Sequence, residues 1–172
     1  MSKLIERALE EERWFEARVL IRDALQQEPD NHWLITRLGL TYYEQRQYKR
    51  ALQYTRKALA LAPQCPLVLW DYAGCLEMLD QPQEALDIYR RLIRRGVDRL
   101  ADGDCGEGIV WARGLVADCH YRVARCYQAC DNKKQARTAY RRHLALRESG
   151  CRSIYPKSEV KKELQQLNAV CR

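Results

Sequence analysis

The sequence is short of several residue types on which common chemistries depend. It has four serines, at positions 2, 149, 153 and 158, all near expected chain ends or loops. No serine nucleophile with a base and an orienting partner can be assembled from them. There is no Gly-rich phosphate loop, no G-x-S-x-G elbow and no dinucleotide fingerprint. No Cys-x-x-Cys or His-x-x-x-His pair offers a zinc site. No run approaches the ~20 consecutive apolar residues that a membrane-spanning helix needs. The opening Met-Ser-Lys-Leu-Ile-Glu-Arg turns charged at once and has no apolar signal core. No alternation of polar and apolar residues is long enough for a strand. These absences predict an all-α, cytoplasmic chain that is not an enzyme and has no cofactor, no metal and no membrane span.

What is present is helix-forming. The single Phe stands against ten Tyr and four Trp, and eight Gly and five Pro sit mostly between apolar-periodic stretches. Ala, Leu, Arg, Glu and Gln are plentiful, which favours helix on propensity alone. Apolar residues at 47% and charged residues at 31% of a 172-residue chain are globular composition, with enough length to bury a core.

The strongest signal is internal repetition. Ala17, Ala51 and Ala85 follow one another at 34-residue spacing, and Ala24 with Ala58 and Pro29 with Pro63 repeat it. A fourth copy appears at Ala136, which places an insertion of about 17 residues before it. The best copy, 32–65, carries Leu38-Gly39, Tyr42, Tyr48, Ala51, Ala58 and Pro63. The third keeps Ala73, Ala85 and Tyr89, with Leu92 and Val97 where Ala and Pro are usual. The first keeps Leu4, Ala8, Trp14, Ala17, Ala24 and Pro29. The fourth keeps Ala124, Tyr127, Ala136 and Tyr140, with His143 and Glu148 where Ala and Pro are usual.

In period and pattern these residues resemble the tetratricopeptide repeat (TPR) family, a helix-turn-helix unit. The resemblance covers about four fifths of the chain. It implies a right-handed superhelical stack of about four repeats, at 1–31, 32–65, 66–99 and 117–150, in a single domain over 1–172. Short side chains let antiparallel helices approach, and each pair leaves an apolar face for the next to cover. Residues 100–116 are the insertion. Its first part, 101–108, reads as a loop, and Ile109 to Val116 lengthens the first helix of repeat four. A capping helix is expected over 156–170, with Val160, Leu164, Leu167 and Val170 on one face.

The resemblance also implies a concave groove lined by the first helices. It places Trp33, Arg37 and Tyr43 there from repeat two, Trp70 and Asp71 from repeat three, and Tyr121, Arg122 and Arg125 from repeat four. Exposed aromatics beside Arg suit the anchoring of a partner peptide. The implied function is a protein–protein adaptor holding a peptide or helix of a partner, acidic where Arg122 and Arg125 select it. One subgroup of the family clamps the acidic tails of heat-shock chaperones with Lys and Asn. Here Thr36, Leu40, Trp70, Asp71 and Gly74 stand at such positions and only Arg125 is cationic, so that activity is not expected.

Net charge is +7 and uneven: residues 1–29 carry −2, 30–65 carry +4, 66–116 carry −3 and 117–172 carry +8. The basic last third leaves two further readings open, a nucleic-acid or other polyanion partner and a solvated helix face. A self-assembling module, with a homo-oligomer formed through the insertion or the exposed end faces, is another.

Eight cysteines without a secretory signal read as reduced thiols. Cys75 and Cys126 share a repeat position that Thr41 takes in repeat two, a small packing site. Cys119, Cys126 and Cys130 share one helix face without a ligand pair beside them. Cys105, Cys151 and Cys171 are expected to be exposed. His143 reads as a packed or half-exposed substitution for Ala. The acidic stretch 98–108 fails as a calcium loop, because Gly106 and Arg113 stand where ligands are required.

Overall fold

The structure is a computed structural model that describes residues 2–169. Every regular element among them is helical. The chain divides into two compact units, Met1–Asp80 and Gln81–Arg172. The division falls inside the third repeat of the sequence period.

The first unit holds α1 (Ser2–Glu10), α2 (Trp14–Gln27), α3 (His32–Glu44), α4 (Tyr48–Leu61) and α5 (Pro66–Met78). Each helix packs on its sequence neighbour, and α5 also reaches α3. Ile5, Ala8, Ala17, Ile21, Leu38, Tyr42, Ala51 and Cys75 are buried together. Leu4, read as a repeat position, is exposed, and Ile5 takes the inward place. The tightest approach is between α3 and α4. A Cβ added at Gly39 would stand 3.3 Å from both Thr55 Cγ2 and Tyr54 Cβ. Tyr42 stacks on Tyr54 at 5.3 Å beside this crossing, and Arg22 donates to the Tyr42 hydroxyl at 3.0 Å.

The second unit holds α6 (Pro82–Arg95), α7 (Val97–Ala101), α8 (Ile109–Ala129), α9 (Lys133–Glu148) and α10 (Lys157–Ala169). The 21-residue α8 bears out the lengthened first helix. The short α7 corrects the sequence reading, which began a loop at Ala101. Leu100 and Ala101 are buried, and α7 packs on α8, so this turn of helix is held by burial. The loop after it folds back so closely that a Cβ at Gly106 would lie 2.1 Å from the Ala101 carbonyl oxygen. Only glycine fits there. The capping helix ends at Ala169, and Val170 lies outside the described residues.

The repeat is also written in the backbone. Glu12, Arg46, Asp80 and Asp131 all have positive φ, between 53° and 60°. They recur at the same 34, 34 and 51 residues as the alanines. At each, the first helix of a pair ends. The N–H of Arg46 donates to Tyr43 and that of Gln47 to Tyr42, the second bond at 2.9 Å, and Asn132 repeats it to Tyr127 at 2.8 Å. A left-handed residue followed by a bond reaching five residues back is a helix-terminating motif usually built on glycine. The second junction is periodic too: Glu28, Asn31 and Ile35 make the backbone bonds that Ala62, Cys65 and Leu69 make. Asn31 and Asn132 cap α3 and α9 through bonds from Leu34 and Gln135, each 3.2 Å. Pro66 and Pro82 open α5 and α6, where the missing N–H costs nothing.

Two substitutions test this account. Gly39→Val forces α3 and α4 apart and is expected to lower stability by about 1–3 kcal/mol, as overpacking does. The urea midpoint falls with the slope unchanged. Arg46→Val puts a β-branched residue in the left-handed region and costs about 1 kcal/mol or more. Arg46→Asn keeps full stability, and equal losses for the two would refute the turn assignment.

Candidate functional site

In the first unit, the helices α3 and α5 carry the residues assigned to partner binding. Trp33 and Tyr43 on α3, and Trp70 and Asp71 on α5, are half-buried rather than freely exposed. Arg37 is fixed twice. Its guanidinium lies over the Trp33 ring at 5.4 Å, and its Nε donates to Glu6 of α1 at 3.0 Å. The Arg37 side chain is 19% exposed, so this pair is better shielded than the ion pairs Arg7–Glu11, Arg13–Glu16 and Lys133–Asp131. Stacking on an aromatic face is what a planar guanidinium does well and an ammonium does poorly. Tyr43 meets the Tyr48 ring edge-on at 5.3 Å. Thr36 is buried and donates to the His32 carbonyl, so it offers nothing to a ligand.

In the second unit the expectation of an open strip changes. Tyr121 is buried. The segment leading into α10 and α10 itself cover it. Tyr155 stacks on Tyr121 at 3.8 Å, and the Tyr121 hydroxyl donates to Glu159. Burial, then Glu159, pushes the Tyr121 hydroxyl up to about 12, so it remains a donor. Gln128 donates to Glu163 at 3.1 Å and accepts from Tyr140. The Arg137 guanidinium donates to the Leu167 carbonyl at 3.3 Å. Arg122 is half-buried and turned to Tyr89, donating to its hydroxyl at 3.0 Å. Arg125 is exposed, beside Tyr121 and Glu159. Of the three residues assigned here, only Arg125 keeps an open side chain. α10 packs on α9 and is tied to α8 by the bonds from Tyr121 and Gln128.

Cysteine and histidine are structural where they are buried. Cys75, Cys119 and Cys126 are buried and outside any disulfide, and burial raises the Cys119 thiol well above its ordinary value. Cys105 and Cys151 are half-buried rather than exposed, because the folded-back loop and the α9–α10 connection enclose them. Cys130 is exposed. Cys171 lies outside the described residues. His143 is fully buried, with Nδ1 2.8 Å from the Ala117 carbonyl oxygen.

The sequence reading missed Asp118. It sits buried on α8 and accepts from the Ser153 side chain and the Ile154 backbone, pinning the segment that precedes α10. Burial pushes its carboxyl from 3.8 up to about 6. A carboxyl raised in the fold contributes stability that is fully present below 3.8 and is lost as pH rises through about 6. His120 opposes it. Burial first, then Arg142 and His143, lowers it from 6.5 to about 4, so its contribution is lost as pH falls through that range. Asp118→Asn removes the first effect alone. The variant is expected to gain about 2–3 kcal/mol over wild type on going from pH 4 to pH 7, read from urea midpoints. A constant difference across that range would show that Asp118 is not held in its neutral form.

The comparisons agree with this geometry. Residues 42–102 match the family model described as tetratricopeptide repeat. No curated protein sequence matches the chain. Among solved structures, MamA from Desulfovibrio magneticus RS-1 is similar over 98% of this chain and 81% of its own, at 15% identity and a TM-score of 0.73. BtubC (BKLC) from P. vanneervenii is similar over 99% and 71%, at 18% identity and a TM-score of 0.76. A Podosopora anserina putative kinesin light chain with nearly identical TPR-like repeats is similar over 96% and 82%, at 15% identity and a TM-score of 0.69. At such identities the likeness is one of fold. Residues 42–102 thus carry the tetratricopeptide repeat, and the 34-residue period and the recurring left-handed turn extend the same helical-repeat fold along the chain.

Proposed function

We propose that the chain is a protein–protein adaptor that holds a segment of a partner on the face formed by α1, α3 and α5. A tetratricopeptide repeat fold supports a binding scaffold in general. The finer reading rests on one observation: Trp33 and Trp70 are half-buried on first helices, with the Arg37 guanidinium stacked on Trp33 and anchored by Glu6. Tryptophan and arginine dominate the energetics of protein interfaces because they cover large areas with few rotamers to freeze. An anchored Arg has already lost much of the freedom that binding would otherwise cost. Arg37 favours a partner with carboxylates, while Asp71 on α5 repels them, so the acidic end of the partner lies toward α3.

The second unit contributes a model of the ligand rather than the site. There Tyr155, in the segment before α10, stacks on Tyr121 of α8, and two glutamates of α10 four residues apart bond to α8. An aromatic residue followed by a helix with spaced carboxylates is thus a chemistry this scaffold accepts. No described helix is long and apolar enough to cross a membrane.

The test is capture from a lysate treated with nuclease, comparing wild type with Trp33→Ala/Trp70→Ala, followed by titration of whatever protein is retained. One protein lost with the double variant, with affinity down at least about tenfold, supports the reading. Retention of the same proteins by both refutes it. Capture that disappears with nuclease alone favours a nucleic-acid partner, and affinity would then fall steeply with salt.

A further inference from the structure

Helices α6, α8 and α9 of the second unit enclose a pocket of about 230 Å³. Its apolar lining comes from Ile93 on α6 and from Val123 and Tyr127 on α8. Arg90 and Arg94 on α6 and Arg142 on α9 stand around it, all exposed, and no carboxylate lines it. Among the described residues none of the three has a carboxylate partner. Arg90 and Arg94 are one turn apart on the same helix face, where like charges repel. Arg142 comes to the same pocket from a different helix. Three uncompensated cations around an apolar floor are unfavourable in an empty pocket and favourable once an anion arrives. His120, also in the lining, is kept neutral by its burial and by Arg142, so it adds a hydrogen-bonding ring and no further charge.

Size narrows the occupant. Sites for whole cofactors or drug-sized ligands run to roughly 300–1,000 Å³. This pocket is smaller and suits a single side chain, with the arginines outside it placed for the residues on either side.

We infer that this pocket docks an acidic segment of a partner protein, with one apolar side chain between Ile93, Val123 and Tyr127 and flanking carboxylates on Arg90, Arg94 and Arg142. The site is separate from the face of α1, α3 and α5, and neither reading depends on the other. Specificity is divided between the two parts. The apolar floor selects a leucine-sized residue, and the arginines demand acidic neighbours and speed the encounter.

The probe is a fluorescein-labelled, end-capped pentapeptide of one central leucine with two aspartates on each side, titrated by anisotropy into the full chain at low salt. Saturable binding is expected. Replacing the leucine by serine weakens it about tenfold, as losing one buried aliphatic side chain does. Arg94→Glu and Arg142→Glu, both at exposed positions, each weaken it by at least about tenfold. Their helical circular dichroism and urea midpoints match wild type, and Trp33→Ala/Trp70→Ala binds the probe unchanged.

Four results overturn the proposal. No saturable binding does so, and so does equal affinity for the leucine and serine peptides, which would leave only a diffuse field. Loss of binding in the tryptophan variant would put the peptide on the other face. Displacement by duplex DNA that outbinds the peptide and is itself weakened by Arg142→Glu would make the arginines a nucleic-acid contact.

Discussion

Two helices can lie as close as α3 and α4 do only where side chains at the crossing are small, and the rest of each unit is arranged around that requirement. Gly39 faces Thr55, Tyr54 and the Ala51 carbonyl oxygen so closely that an added carbon would press on the Thr55 and Tyr54 side chains. Ala51 and Ala58 are fully buried, as are their counterparts Ala17, Ala85 and Ala136. The space left beside the small residues is filled by tyrosines: Tyr42 and Tyr54 in one unit, Tyr89, Tyr121 and Tyr140 in the other. Tyrosine suits this position because its ring is apolar and its hydroxyl still finds a partner at the edge of the pair. Arg22, Glu159 and Gln128 are those partners, and Arg122 serves Tyr89. The polar bonds made by these tyrosine hydroxyls therefore follow from the need to pack rings beside short residues.

The same constraint explains what could be read from the sequence. Positions tied to a close helix crossing recur with the period, so Gly39, the alanines and Tyr42, Tyr89 and Tyr140 were legible before any coordinates. The extension of α8 was legible because Ile109 to Val116 has no breaker. α7 was not, since five residues are too few for a periodic signal and its stability comes from burying Leu100 and Ala101 under α8. The left-handed residues were hidden for a different reason. Glu12, Arg46, Asp80 and Asp131 share a backbone conformation but not a side-chain type, because the side chain points to water and only the backbone is constrained.

The candidate site was legible in part. Trp33, Arg37 and Trp70 lie on first helices as the resemblance implied, but the Glu6 bond to Arg37 links residues 31 apart and leaves no local trace. Tyr121 and Arg122 read as open because nothing near them in sequence announces a cover. The covering residues, Tyr155, Glu159 and Glu163, read as an amphipathic cap with unassigned polar positions. The arginine-rimmed pocket needed three helices to assemble it. In the sequence, Arg90, Arg94 and Arg142 were only part of an uneven charge distribution.

The packing of each helix on its immediate neighbours bears on how the chain reaches this state. The bond from Arg37 to Glu6 in the first unit spans 31 residues, and the bond from Tyr121 to Glu159 spans 38. Folding then requires no closure of a long loop before it is rewarded, and topologies of this kind fold fast for their length. A helix pair can form wherever local propensity is highest and recruit the next pair in either direction. The tethering of α10 needs α8 and α9 in place together, because Tyr121 and Gln128 of α8 and Arg137 of α9 all bond to it. The last helix thus reports on whether the pair before it is assembled.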